Sequence, residues 1–133
     1  MKKPIDPKLT VLIALYTEYQ KPVPNMTTVT AESVALEDAA FNCAVEKLQN
    51  EELIKGAKIR RVDQVTYPYA VFLSECSITK AGVDLVEDFV TLKKSLPAQE
   101  KLKDLFKKAT AAGWEALTDI AGKALAECLK GTI

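Results

Sequence analysis

Four bases, Lys55, Lys58, Arg60 and Arg61, stand close together in the middle of this chain, with Tyr67 a few positions on. Cations so placed bind phosphate, and an aromatic ring beside them stacks on a base. Asn42 and Gln49, just upstream, are the residue types that read base edges. Each has a plainer reading. The bases would serve equally as a solvated strand face that blunts a sheet edge. Tyr67 would cover the sheet end with its hydroxyl in water, and both amides would simply be solvated. Other chemistry is thinly supplied. There is no histidine, which removes the Ser-His and Cys-His nucleophile pairs. Cys43, Cys76 and Cys128 are odd in number and widely spaced, and three lone thiols fall short of a structural zinc site. They read as reduced thiols in or near a core. Glu51 and Glu52 are adjacent, hence divergent in direction, and make no catalytic dyad. The chain is expected to be a non-enzyme with no catalytic residue, cofactor or metal.

A chain of 133 residues, 48% hydrophobic and 27% charged, suits one soluble domain with an appendage. Eighteen bases balance eighteen acids, so no global field draws it to nucleic acid or anionic lipid, and any such contact must be local. No run is long and apolar enough for a bilayer span. Met1 to Asp6 does not read as a secretory signal, which makes the cytoplasm the expected location.

The elements that must position these residues follow from periodicity. Asp6 and Pro7 open a first helix, Pro7 to Gln20, with Leu9, Leu12, Ile13, Leu15, Tyr16 and Tyr19 at helical spacing. Met26 to Thr30 is short and β-branched and reads as a small strand. Ala31 to Leu36 reads as a short second helix, with Thr30 or Ser33 as a cap. Glu37 to Asn50 is the clearest element: Phe41, Ala44, Val45 and Leu48 form one apolar stripe. That stripe is expected to pack on Leu12, Ile13 and Val86. A hairpin follows, with strands over Lys58 to Val65 and Tyr69 to Ser77. Its turn falls at Asp63-Gln64 or Tyr67-Pro68. Thr79 caps a closing helix that runs to about Lys93-Lys94-Ser95. Beyond Pro97, apolar residues recur to the end, giving one long helix or two broken near Gly113. A glycine inside a helix costs about 1 kcal/mol.

Val34 to Leu48, then Leu53-Ile54-Lys55-Gly56, then Ile78-Thr79-Lys80-Ala81-Gly82 resemble the YjcQ-like winged-helix proteins of bacteria and their phages. The resemblance covers about residues 8 to 93. It implies a winged-helix fold and a phage or mobile-element setting. It supplies no catalytic residue, and it leaves the tail after Pro97 unaccounted for.

The fold expected is therefore mainly α with a small antiparallel β-hairpin (α+β): a winged helix-turn-helix over residues 1–95 and a helical extension over 96–133. Two functions stand open. One is a DNA-contacting regulator that self-associates through its C-terminal helix. The other is a protein–protein interaction module that keeps the fold without DNA binding. From Glu37 to Leu53 the only base is Lys47 against five acids, which argues against the usual helix in the major groove and leaves the Lys55–Arg61 strand to lead. A second basic cluster, Lys101, Lys103, Lys107 and Lys108, is interrupted by acids and reads as a solvated helix face. The tail would span about 45 Å as one helix, more than so small a domain can cover. Phe106, Trp114, Leu117 and Ile120 are expected to anchor it on a second copy.

Overall fold

The computed structural model describes residues 5–130; Met1 to Pro4 and residues 131–133 lie outside them. It is mainly helical, with two small antiparallel ladders, an α+β arrangement. Helix α1 spans Pro7–Tyr19. Asp6 caps it by accepting the Lys8 N–H at 2.9 Å, and Pro7 occupies its first turn. Thr10 to Glu18 are all buried. A helix buried on every side is a central one, and α1 touches α2, α3, α5 and β4.

Between α1 and α2 the structure departs from expectation twice. Met26–Thr28 is a 3-10 turn, not a strand. The Asn25 side chain accepts the Thr27 N–H at 3.2 Å, and Met26 O accepts from Val29 N at 3.1 Å. These local bonds take the backbone groups a ladder would need. Ala31 to Leu36 forms turns, not a helix. Thr30 N–H donates to Ser33 Oγ at 2.8 Å and Ser33 N–H to Thr30 Oγ1 at 3.1 Å. Ala35, at φ 58°, then leaves the helical region and stops propagation.

Helix α2 (Asp38–Asn50) buries Phe41, Ala44, Val45 and Leu48 in one cluster with Leu12, Ile13 and Val86, as the stripe predicts. The expected hairpin is broken into two ladders. Strand β1 (Ile54–Lys55) pairs with β4 (Ser77–Ile78); β2 (Lys58–Arg60) pairs with β3 (Ala70–Phe72). The strands are thus much shorter than Lys58–Val65 and Tyr69–Ser77. The break falls at Gly56, whose φ is +81°. Any Cβ there would sit 2.1 Å from the Glu75 carbonyl oxygen, so only glycine fits the bend.

Helix α3 (Lys80–Phe89) is capped by Thr79, whose Oγ1 accepts the Gly82 N–H at 3.1 Å. It ends earlier than the apolar pattern suggests. Leu92 N–H donates to Glu87 O at 2.8 Å, and Thr91 takes φ 52°, the terminating geometry usually given to glycine. The tail is two helices, α4 (Ala98–Ala112) and α5 (Glu115–Lys130), broken at Gly113. Gly113 lies at φ 80° as the cap of α4, so it terminates a helix and does not weaken one.

The halves fold back on each other, and α5 then packs on α1. Leu105, Ala109, Leu117, Ile120 and Ala121 belong to the same core cluster as Leu12 and Val45, so the core runs unbroken across Pro97. The seam of small residues sets this approach: the Phe106 ring lies 3.4 Å from where a Cβ on Gly122 would be. The expectation that much of the tail lacks cover inside the chain fails here. It treated the tail as one rod, whereas the break at Gly113 lets one half cover the other.

Candidate nucleic-acid interface

The β2–β3 ladder lies against α2. Its register places Lys58 opposite Phe72, Ile59 opposite Val71 and Arg60 opposite Ala70. Alternation sends Lys58, Arg60, Ala70 and Phe72 to one face and Ile59 and Val71 to the other. Val71 packs against the core, so its face is the inner one. The outer face carries two cations around Phe72, which is 47% exposed; Tyr69, 65% exposed, lies just before β3, in phase with Val71. Lys55, exposed on β1, and Arg60 have no ion-pair partner among the described residues.

The other two bases are committed. Lys58 lies 3.0 Å from Glu75, both about two-thirds exposed, so solvent screens the pair. Arg61 reaches back to Glu46 on α2, with Nη2 2.6 Å from both carboxylate oxygens. Tyr67 is 43% exposed in the turn beyond the ladder.

Asn42 and Gln49 are not solvated amides. Asn42 is buried and donates to the Pro68 and Tyr69 carbonyls at 3.2 and 3.1 Å. Gln49 donates to Ala57 O at 2.9 Å and accepts Ala57 N–H at 2.8 Å. Both amides, together with Glu46, tie the β2–β3 region to α2. The bonds these amides make are to backbone of the ladder region and hold the basic face in place. The solvent side of α2 keeps Glu37, Asp38, Lys47, Asn50 and Glu51, an acidic surface that repels phosphate.

The four bulky tail residues are turned inward. Leu117 and Ile120 are buried, Phe106 is half-buried over Gly122, and Trp114 stacks on Phe89 at 5.3 Å between ring centroids. Among the described residues no group of three acidic, cysteine or histidine side chains could hold a metal ion, and no helix is long and apolar enough to cross a membrane.

One polar feature escaped the sequence reading. Glu87 on α3, 2% exposed, accepts the Tyr16 hydroxyl at 2.9 Å and pairs with Lys101 of α4 at 2.7 Å. Its signal was present: Glu87 interrupts an apolar stripe of Val83, Val86 and Val90. An acid in such a stripe needs buried partners. A second link joins the far end of α1 to α5. Lys21 bridges Glu18 at 2.8 Å and Glu127 at 2.5 Å.

Compared with known proteins, residues 9–105 match the family model described as YjcQ protein, and the match continues past Pro97 into α4. No curated protein and no solved structure matches the chain.

Proposed function

For this chain, which belongs to the YjcQ protein family, we propose a non-enzymatic winged-helix protein that contacts nucleic acid with its wing and not with α2. The observation that carries this reading is the outer face of the β2–β3 ladder. There Lys58 and Arg60 share a face with an exposed Phe72; Lys55, on the other ladder, and Tyr69, just before β3, are exposed as well. Bases interleaved with aromatic rings bind single-stranded nucleic acid by phosphate contact and stacking. The helix–wing–helix order of α2, the two ladders and α3 supports the winged-helix assignment. A phage or mobile-element setting rests on the resemblance alone. A cytoplasmic setting is part of the reading, and the cysteines, all free, suit it. Self-association through the C-terminal helix is not part of it, because its anchors lie inside the monomer.

Anisotropy of a labelled single strand and of its duplex, at about 50 and 200 mM salt, tests the proposal. The single strand should bind more tightly. Changing Lys58 and Arg60 together to Glu should abolish binding, while Asn42→Ala should act only through stability. Arg61 is excluded from the test pair because Glu46 already holds it. Binding that survives the double change would overturn the wing assignment. The second reading, a protein-interaction module, is favoured by the acidic exposed side of α2. Failure of either strand form to bind at low salt would select it.

A further inference from the structure

Strand β3 has a neighbour on one side only. Its partner is β2, and among the described residues no backbone hydrogen bond joins it to the Met26–Ala31 segment across from it. Its β-branched residues favour a strand, but Met26–Thr28 coils into a 3-10 turn and the segment stands off. Between the two lies a hollow of about 360 Å³. Phe41 and Val71 line its apolar side, Val29 and Ala31 the opposite wall, and Thr27 and Ser74 its polar rim. Both walls are fixed in place. Asn42 holds the start of the strand through Tyr69 O, and the Thr30–Ser33 exchange holds the turn.

We propose that this hollow takes up one extended peptide, which adds to the open edge of β3 as a strand. Apolar side chains at alternate positions would point inward, and a Lys or Arg would lie toward Asp38. Strand addition is a general way for a bare sheet edge to recruit a partner. Geometry selects a single strand as occupant. The hollow is walled on both sides, whereas the β3 of a second copy would bring its own β2 and its own turn and would not enter. Charge selects the basic residue. Asp38 is the one charged side chain of the lining, and it has no ion-pair or hydrogen-bond partner among the described residues. This site is the edge of the ladder, distinct from the outer face that bears Lys58 and Arg60, although Phe72 borders both.

Selection of a random displayed peptide library on the full chain, followed by titration of a synthetic representative, tests the proposal. The selected peptides should share apolar residues at alternate positions and a Lys or Arg. Asp38→Lys lies on the surface and leaves the core intact; it should weaken the representative about tenfold or more and shift a repeat selection toward acidic peptides. Ala31→Trp should fill the hollow and abolish binding, with circular dichroism confirming the fold. N-methylation of alternate peptide amides should abolish binding in one register and spare it in the other. Changing Lys58 and Arg60 to Glu should leave peptide binding unaltered, which separates this proposal from the nucleic-acid reading. No enriched family, or binding indifferent to Asp38→Lys and to N-methylation, would overturn it.

Discussion

Glu87 shows how much one side chain fixes. An ionised carboxylate taken out of water costs several kcal/mol unless it is paired and hydrogen-bonded. Here the two partners come from two other helices, Tyr16 on α1 and Lys101 on α4. Burial, then the Glu87 carboxylate, push the Tyr16 hydroxyl far above its ordinary pKa, so it remains a donor at any working pH. Lys101→Met should destabilise the protein by about 3–5 kcal/mol, since it strands a buried charge. Adding Glu87→Leu should recover most of that loss, and urea melts of the two single variants and the double give the coupling. Should Lys101→Met cost less than about 1 kcal/mol, the pair is a surface pair. Cys76 yields a pH prediction. Burial pushes its thiol up from an ordinary 9.0 to about 11. The unfolded chain therefore releases the proton first, and stability falls as pH rises between those values. A Cys76→Ser variant should lose less stability over that interval than the parent in denaturant melts. Alkylation at neutral pH should reach half-exposed Cys43 well before Cys76.

Helices were the legible elements, and the reason lies in their ends and stripes. Asp6-Pro7, Thr79 and Gly113 each act as the start or stop that their chemistry suggests. The stripe of α2 is buried as read. The region before α2 misled because Thr27, Thr28 and Val29 favour a strand, whereas Asn25 satisfies the local N–H groups first. Asn42 and Gln49 misled because side-chain identity does not reveal whether a partner exists 26 or 8 positions away. The Tyr16–Glu87 bond spans 71 positions and is invisible to any local pattern. The end of α3 was overrun because a threonine at Thr91 gives no stop signal. It nevertheless takes φ 52°, where a β-branched residue is strained. Thr91→Gly should therefore stabilise the protein by about 1 kcal/mol. The gain should survive although Lys108 loses its 3.1 Å contact with Thr91 Oγ1, because Lys108 still donates to the carbonyl. A lower melting temperature for Thr91→Gly would show that the side chain matters more than the backbone.

At the scale of the molecule, the tail is part of the core. Leu117 and Ala121 on α5 are buried in the cluster that holds Leu12 and Leu15 on α1. Ending the chain at Ser95 removes both helices and exposes one side of α1. Sedimentation of the full chain should give a monomer. The shortened chain should aggregate or lose its cooperative melt, because it bares the apolar residues that α4 and α5 cover. A shortened chain that remains a well-folded monomer would show residues 1–95 to be self-sufficient after all.

Helix α1 is made before the elements that cover it. Its faces await α2, α3 and finally α5, whose contacts lie about 100 residues further on. At ribosomal speeds of about 5–20 residues per second, that interval lasts roughly 5–20 s. Throughout it the nascent chain carries a nine-residue run, Thr10 to Glu18, that the finished protein buries. Such a segment is a ready client for a holding chaperone, and a codon-level pause before α5 would lengthen its exposure and lower the yield of folded protein.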